Sequence, residues 1–365
     1  MDLNTLTSEA AQLLENMISI PSPSFKEDEV CSLISDWMKA KGIDHQRIGN
    51  NLIAEHISDP ELPTLMLCSH IDTVEPCDGY SFDPYNPDRE KAALNISRLL
   101  GVEVNAEDII AGLGSNDDGA SVVSMLAAYR ELSKEKINLT LVLTCEEERS
   151  GKDGMTGLWT TRLNRISHAI VGEPTGMKAA TSERGLLVID ATAHGISGHA
   201  ARNEGRNALY IALEDIERLR NHTFERISPR MGKVNLNVTQ IHSGTAHNVI
   251  PDICTFVIDI RPTEQYTNEE ILQELQGICS SELRPRNLNN RSSATFQDSP
   301  LIKTAESLGI ETFSSPTTSD WMRITCDAIK MGPGDSSRSH RKDEFIFIKE
   351  IEEAIHTYIE FIKNL

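Results

Sequence analysis

Histidine and carboxylate residues recur in this 365-residue chain directly after short apolar runs. Leu65-Met66-Leu67-Cys68 leads into Ser69-His70-Ile71-Asp72, and Leu139 to Leu143 leads into Cys145-Glu146-Glu147-Glu148. Ala169-Ile170-Val171 leads into Gly172-Glu173-Pro174, and Ala328 to Met331 leads into Gly332-Pro333-Gly334, with His340 a few residues on. The His-x-Asp spacing of His70 and Asp72 lets an imidazole bind a metal while a carboxylate holds its other ring nitrogen. Asp117 and Asp118 add two more carboxylates in a loop bracketed by Gly112, Gly114 and Gly119. Each feature alone has a plain reading: a surface histidine, a charged turn, or a helix cap, the last suiting Asp118 ahead of the helix expected over 120–132. Together they place carboxylates where mutual repulsion calls for cations.

Nitrogen and oxygen ligands without a cysteine cluster suit zinc or a similar first-row ion, and several carboxylates can hold two ions about 3.5 to 4 Å apart. Such ions lower the pKa of bound water toward roughly 7, and a glutamate that is not a ligand can carry the proton onward. If the backbone is extended at Glu147 and Glu148, their side chains diverge, so one faces the metals and the other the water. Gly112-Leu113-Gly114 lacks the third glycine and the lysine of nucleotide loops. There is no Gly-x-Ser-x-Gly elbow for a serine hydrolase.

The elements that must position these residues follow from periodicity. The four apolar runs read as buried parallel strands, whose carboxyl ends form the edge where open α/β sheets bind ligands. Helices are expected over 6–18, 27–41 and 120–132, the second closed by Gly42. After Glu173 the pattern changes to alternating strands over 186–193, 234–241 and 254–260, with helices over 207–220 and 268–279. Residues 283–293, polar and rich in Arg and Asn, read as a return linker, so a small α+β module is inserted into the first domain. A net charge of −20 disfavours a nucleic-acid partner. No apolar run is long enough to span a bilayer, and Met1 to Ile20 lacks the pattern of a signal peptide, which leads to a cytoplasmic expectation. Seven scattered cysteines without a C-x-x-C pair suit reduced thiols, with Cys68 and Cys145 as packing residues.

The motifs resemble those of the acetylornithine deacetylase, succinyl-diaminopimelate desuccinylase and carboxypeptidase family of di-zinc amidohydrolases. The likeness rests on Ser69-His70-Ile71-Asp72-Thr73-Val74, Gly112 to Asp118, Gly172-Glu173-Pro174-Thr175 and Gly332-Pro333-Gly334 to His340, followed by Asp343-Glu344-Phe345. It spans nearly the whole chain. The resemblance implies an α/β fold: a zinc-peptidase-like catalytic domain with a mixed, mainly parallel sheet flanked by helices, over 1–181 and 291–365. An inserted α+β lid and dimerisation domain would occupy 182–290. Asp117 would bridge two divalent metals, zinc or alternatively cobalt, with His70 and Glu173 completing one site and Glu148 and His340 the other. Glu147 would be the general acid/base, and Asp72 would orient His70. The triple glutamate aligns as Glu146 followed by the family's Glu-Glu pair, and Asp118-Gly119-Ala120 departs from the usual lysine-containing loop.

In the inserted module Gly198-His199-Ala200-Ala201-Arg202 resembles a motif whose histidine reaches a partner's active site, implying a homodimer. Asn248-Val249-Ile250-Pro251 and Arg261 resemble lid elements that grip a substrate carboxylate, although Arg261 could equally form a strand-end ion pair. Thr318-Ser319-Asp320 resembles a substrate-side loop. The expected activity is hydrolysis of a small N-acyl amino acid, foremost N-acetylornithine in arginine biosynthesis, with N-acyl-citrulline and N-succinyl-ornithine close by. Succinyl-diaminopimelate desuccinylase, N-acetyl-lysine deacetylase, aminoacylase and dipeptidase are the enzymatic alternatives, and an inactive metabolite- or peptide-binding protein the non-enzymatic one.

Overall fold

Parallel strands buried on both faces require continuous apolar sequence, and the four runs supply it. In the computed structural model, which describes residues 2–163, 165–202 and 204–365, they form the centre of one mixed sheet. Asn138–Thr144, Thr64–His70, His168–Val171 and Asp327–Lys330 lie parallel in that spatial order. Asn51–Ile57 adds an antiparallel strand beside Asn138–Thr144, and Ala179–Glu183 pairs antiparallel with Asp327–Lys330. The register sets His70 opposite Thr144, and both Cys68 and Lys330 opposite Val171, so the strands finish together at one edge.

Side chains alternate between the two faces of this sheet. Leu65, Leu67, Leu139, Leu141, Ile170 and Ile329 share a core with helices Leu3–Ile18, Ala120–Leu132 and Ile348–Lys363. Met66, Cys68, Val142, Val171 and Ala328 pack on the other side with Met155, Leu158 and Trp321. Each large apolar side chain so buried contributes roughly 1.5–3 kcal/mol. Helix Ala120–Leu132 is buried along almost its whole length, which fits its place behind the edge where the strands end. Leu3–Ile18 shows a narrower stripe of Leu6, Ala10, Leu13, Leu14 and Met17, and Asp2 caps its start.

The chain divides into two compact units: Met1–Thr181 with Thr295–Phe313 and Ser319–Leu365, and Ser182–Ala294 with Ser314–Thr318. The second unit is built on an antiparallel sheet in the order Asn235–Ser243, Ile253–Arg261, Leu187–His194, Glu282–Pro285. Alternate residues Leu187, Ile189, Ala191 and Ala193 face helices Ala208–Asn221 and Asn268–Ile278 in its core. Asp215 lies buried on the first of these helices and accepts the backbone N–H groups of Ser280 and Ser281, tying the helix to the chain that enters the last strand.

The structure departs from the sequence reading at three points. Residues 283–293 are not simply a linker, because Glu282–Pro285 pairs with Leu187–His194. Helices Arg89–Leu100 and Met155–Thr161 were not anticipated. Asp118 does not cap Ala120–Leu132; its carboxylate is buried and accepts the Ser69 hydroxyl at 2.5 Å. The cysteines are free, and Cys68 and Cys145 are buried. Among the described residues no helix is long and apolar enough to cross a membrane.

Candidate metal centre

The edge where the parallel strands end gathers the polar residues singled out from sequence. His70 closes its strand. Asp117 sits in an irregular turn, Ser115–Gly119, that leads into helix Ala120–Leu132, and its peptide bond to Asp118 is cis. Glu147 and Glu148 follow Asn138–Thr144, Glu173 follows His168–Val171, and His340 follows Asp327–Lys330 by way of the Gly332-Pro333-Gly334 loop.

Asp117 stands between two imidazoles. Its Oδ1 is 3.2 Å from His70 Nε2 and its Oδ2 is 3.7 Å from His340 Nε2. His340 Nε2 is 2.9 Å from Glu148 Oε1. Ligand atoms of His70, Asp117 and Glu148 all lie within 4.8 Å of one another. Glu173 falls outside that trio but is near enough to Asp117, Asp118 and His70 to respond to their charges. The donor set fits divalent metal: two imidazoles and several carboxylates converge without a thiolate, and the two oxygens of one aspartate face different histidines.

Electrostatics support the same fit. Burial, followed by the charges of neighbouring acids, pushes the carboxyl pKa values of Glu147 and Glu173 well up. Burial raises Asp118 to about 7, Asp320 to about 6 and Glu344 to about 8. The hydrogen bond to Glu148 raises His340 to about 9. At His70, burial opposes the charged form, but Asp117 and Asp72 together outweigh it and raise the imidazole. So many acids sharing one small volume favour bound protons or bound cations over free charge.

A layer behind these groups holds them. Asp72 is the hub: its carboxylate accepts the Ser24 hydroxyl at 2.6 Å and the backbone N–H groups of Glu147 and Glu148 at 3.1 and 3.2 Å. The ring of His70 is held chiefly by the Asp72 carbonyl, 2.9 Å from Nδ1, with the carboxylate at 3.5 Å. The expected carboxylate clamp is therefore shared with the backbone. Glu344 accepts the N–H groups of Asn116 and Asp117, each at 2.9 Å, and so fixes the turn that presents Asp117. Asn116 in turn accepts from Asp335 N at 2.9 Å and donates to its carbonyl. Gly334, at φ +83°, passes so close to Asn116 that a Cβ would collide with that side chain.

The three glutamates are not extended, which corrects the premise that alternation separates their roles. Glu146 takes a left-handed conformation at φ +62°, and Glu147 to Arg149 form a tight helical turn. Glu146 faces away, its carboxylate accepting Asp153 N and its own N–H donating to Glu27. Glu147 instead lies among His70, Glu173, Asp320 and Glu148. Sequence reasoning gave no role to Ser24, Glu27, Asp320, Arg323 or Glu344. Of these Asp320 and Glu344 had a signal, their places in the quoted Thr318-Ser319-Asp320 and Asp343-Glu344-Phe345 motifs.

The remaining candidates fall elsewhere. Ser319 is buried, and its hydroxyl accepts from Trp321 N at 3.3 Å, capping the turn Asp320–Arg323. In the second unit His199 is exposed and pairs in register with Val249, next to Asn248, whose carbonyl accepts Ala200 N. Arg261 grips Asp259 through two hydrogen bonds of 2.8 and 3.0 Å.

Comparison with known proteins agrees with this architecture. Residues 181–287 match the M20 peptidase dimerisation domain. The chain is 25% identical to the succinyl-diaminopimelate desuccinylase of Delftia acidovorans over 98% of both chains. It is 29% identical to the acetylornithine deacetylase of Myxococcus xanthus over 65% of this chain and 68% of that one. In fold it resembles the aminopeptidase PepT of Bacillus cereus, with a TM-score of 0.75, 16% identity and coverage of 100% and 99%. It also resembles the Bacillus subtilis YXEP protein, a dinuclear metal-binding M20 peptidase, with a TM-score of 0.72, 16% identity and coverage of 99% and 97%. The chain is therefore similar over most of its length to hydrolases that act on amide or peptide bonds, and its second unit matches the dimerisation domain of M20 peptidases.

Proposed function

We propose that this protein is a metal-dependent deacylase that hydrolyses the amide of a small N-acyl-L-amino acid, N-acetylornithine first among them, in arginine biosynthesis. The observation that carries this reading is the convergence of His70, Asp117 and Glu148, with His340 on Glu148 and Glu147 beside the cluster. Two divalent ions, zinc or cobalt, would be held by Asp117 between them, by His70 and Glu173 on one side, and by Glu148 and His340 on the other. Bound there, the ions polarise the scissile carbonyl and acidify water.

The protein's own residues then divide the work. Glu147, whose burial raises its proton affinity, takes a proton from the attacking water and returns it to the departing amine. Asp72 positions both Glu147 and His70 through the contacts described above. His199 of a partner subunit would stabilise the developing oxyanion, which makes the working unit a homodimer. Asn248 and Arg261 would hold the substrate α-carboxylate, and Ser319 would support the substrate-side loop from within. Arg261 must exchange Asp259 for the substrate to do this.

A second reading, succinyl-diaminopimelate desuccinylase, is favoured by one observation: similarity to that relative runs over 98% of this chain, against 65% for the acetylornithine deacetylase. Amine release from metal-loaded protein decides between them. The panel is N-acetyl-ornithine, N-acetyl-citrulline, N-succinyl-ornithine, N-acetyl-lysine, N-succinyl-diaminopimelate and a dipeptide. Preference for N-acetylornithine supports the first reading, preference for N-succinyl-diaminopimelate replaces it with the second, and turnover of the dipeptide alone makes the enzyme a peptidase.

A further inference from the structure

Outside the Glu148–His340 pair the first unit opens into a cleft of about 420 Å³, bordered by Ser24, Phe25, Thr73, Glu75 and Arg149. None of these residues has a part in the chemistry above except Ser24, through Asp72. The wall of this cleft is built rather than incidental. Ser24 N donates to the Thr73 carbonyl, Ser24 Oγ donates to Asp72, and Phe25 N donates to Glu27 Oε1 at 2.6 Å. The loop is thus pinned to the same strand end that carries His70. Phe25 is held at φ +74°, a conformation that a bulky side chain seldom adopts, and remains 60% exposed. Backbone strain of this kind gathers at ligand-contacting positions.

The charges of the cleft are unequally satisfied. Glu148 is bonded to His340, and Glu75 faces Lys26 at 3.8 Å. Arg149 follows Glu148 in the chain, is exposed, and its guanidinium has no hydrogen bond or ion pair among the described residues. In a chain of net charge −20 a substrate carboxylate is repelled overall and needs a local cation to stay near the acids of the metal centre. A guanidinium offers a carboxylate two parallel hydrogen bonds.

We propose that Arg149 is a specificity-determining residue whose guanidinium holds a carboxylate of the substrate in this cleft, with Phe25 as the apolar wall beside it. The inference rests on the deacylase reading for its substrate, but not for its binding chemistry. The carboxylate has two sources: the distal carboxylate of a dicarboxylic acyl group, which leaves the α-carboxylate to Asn248 and Arg261, or the α-carboxylate itself, which would take that role from them.

Arg149→Ala and Arg149→Lys test it. Because Arg149 adjoins Glu148, metal content is measured first and is expected to match the parent. Rates are then compared on N-acetyl-ornithine, N-succinyl-ornithine and the α-amide of N-acetyl-ornithine. A loss in kcat/KM of roughly 10- to 100-fold confined to the succinylated substrate places the acyl carboxylate on Arg149. The same loss on both free acids but not on the amide places the α-carboxylate there, and Arg149→Lys recovers part of either loss. An unchanged rate, or an equal loss on all three substrates, overturns the proposal. Calorimetric titration of succinate into metal-loaded protein provides a readout that needs no turnover: Arg149→Ala is expected to weaken binding about tenfold or more. Turnover of the panel with Arg149→Ala indifferent in both assays would sink this subsite and leave the deacylase standing. Succinate binding through Arg149 in a protein that hydrolyses nothing would do the reverse.

Discussion

The two units hold their functional candidates in opposite ways. In the first, His70 and Asp72 are buried and every group of the metal trio is held by a second residue: His70 by Asp72, Asp117 by Glu344, Glu148 by Asp72 and His340. In the second, His199 and Asn248 are exposed on a short two-stranded pairing, and Arg261 is committed to its own neighbour Asp259. Rigid placement suits groups that must meet metal and reacting atoms within a fraction of an ångström. Exposed, locally paired side chains suit contacts completed only when a substrate or a second subunit arrives. The comparison teaches that substitutions in the first unit should act on chemistry and metal, and those in the second on assembly and recognition.

The largest expected effect is at Glu147. Glu147→Gln keeps the size of the side chain and removes its proton-carrying ability, so turnover should fall by about 10² to 10⁴ while bound metal is retained. His70→Ala or Asp117→Ala should instead lose metal. Metal analysis beside a rate measurement separates the two, and near-normal turnover in Glu147→Gln would break the division of roles.

Next is the role of His199. If it serves the opposite subunit, His199→Ala and Glu147→Gln proteins, each inactive alone, should regain activity when mixed and allowed to exchange subunits. One site in each mixed dimer then has both residues. Mixtures no better than either parent, or an active monomer by light scattering, would erase the contrast between the two units.

Asp72→Ala tests the holding layer. It strands the Ser24 hydroxyl and two backbone N–H groups and frees the ring of His70 from the carboxylate. Loss of a group that orients a ligand typically costs 10- to 100-fold in metal affinity, which a competition titration with a chelator measures. The variant should also unfold more readily, because buried donors left without acceptors cost about 1–3 kcal/mol each. Unchanged metal affinity would show that the carbonyl of residue 72 alone orients His70.

The contrast also explains what could be read from sequence. The parallel strands were legible because burial on both faces leaves an unbroken apolar run, and the positions of His70 and Glu173 followed from where those runs stop. The turn at Glu146 was not, because a left-handed glutamate carries none of the signal that a glycine would. Helix Arg89–Leu100 was hidden by its mixed pattern: Ala92, Ala93 and Ile96 are buried, while Leu94, Leu99 and Leu100 are exposed. Strand Glu282–Pro285 buries only Leu283, so one edge strand with one inward side chain looked like a polar linker. Apart from the local pair of Asp72 with His70, the contacts described for Asp72 and Glu344 join residues 48 to 228 positions apart, a reach that local pattern does not encode.

The smallest expected effect is at Arg261. A charge-assisted contact with a substrate carboxylate is worth roughly 1.5 to 3 kcal/mol, but two features reduce it here. The side chain is more than a third exposed, so solvent screens the interaction, and it must first give up the bidentate pair with Asp259. Arg261→Ala should therefore lie near the low end, about tenfold in the ratio of kcat/KM between a free N-acyl amino acid and its α-amide. Asp259→Asn sharpens the test, because it weakens the competing pair and leaves Arg261 in place. If the guanidinium turns to substrate, Asp259→Asn should preserve or increase the preference for the free acid, whereas Arg261→Ala lowers it. If both variants leave that preference untouched while reducing thermal stability, Arg261 is the strand-end ion pair that its position also allows, and recognition of the α-carboxylate belongs to another cation.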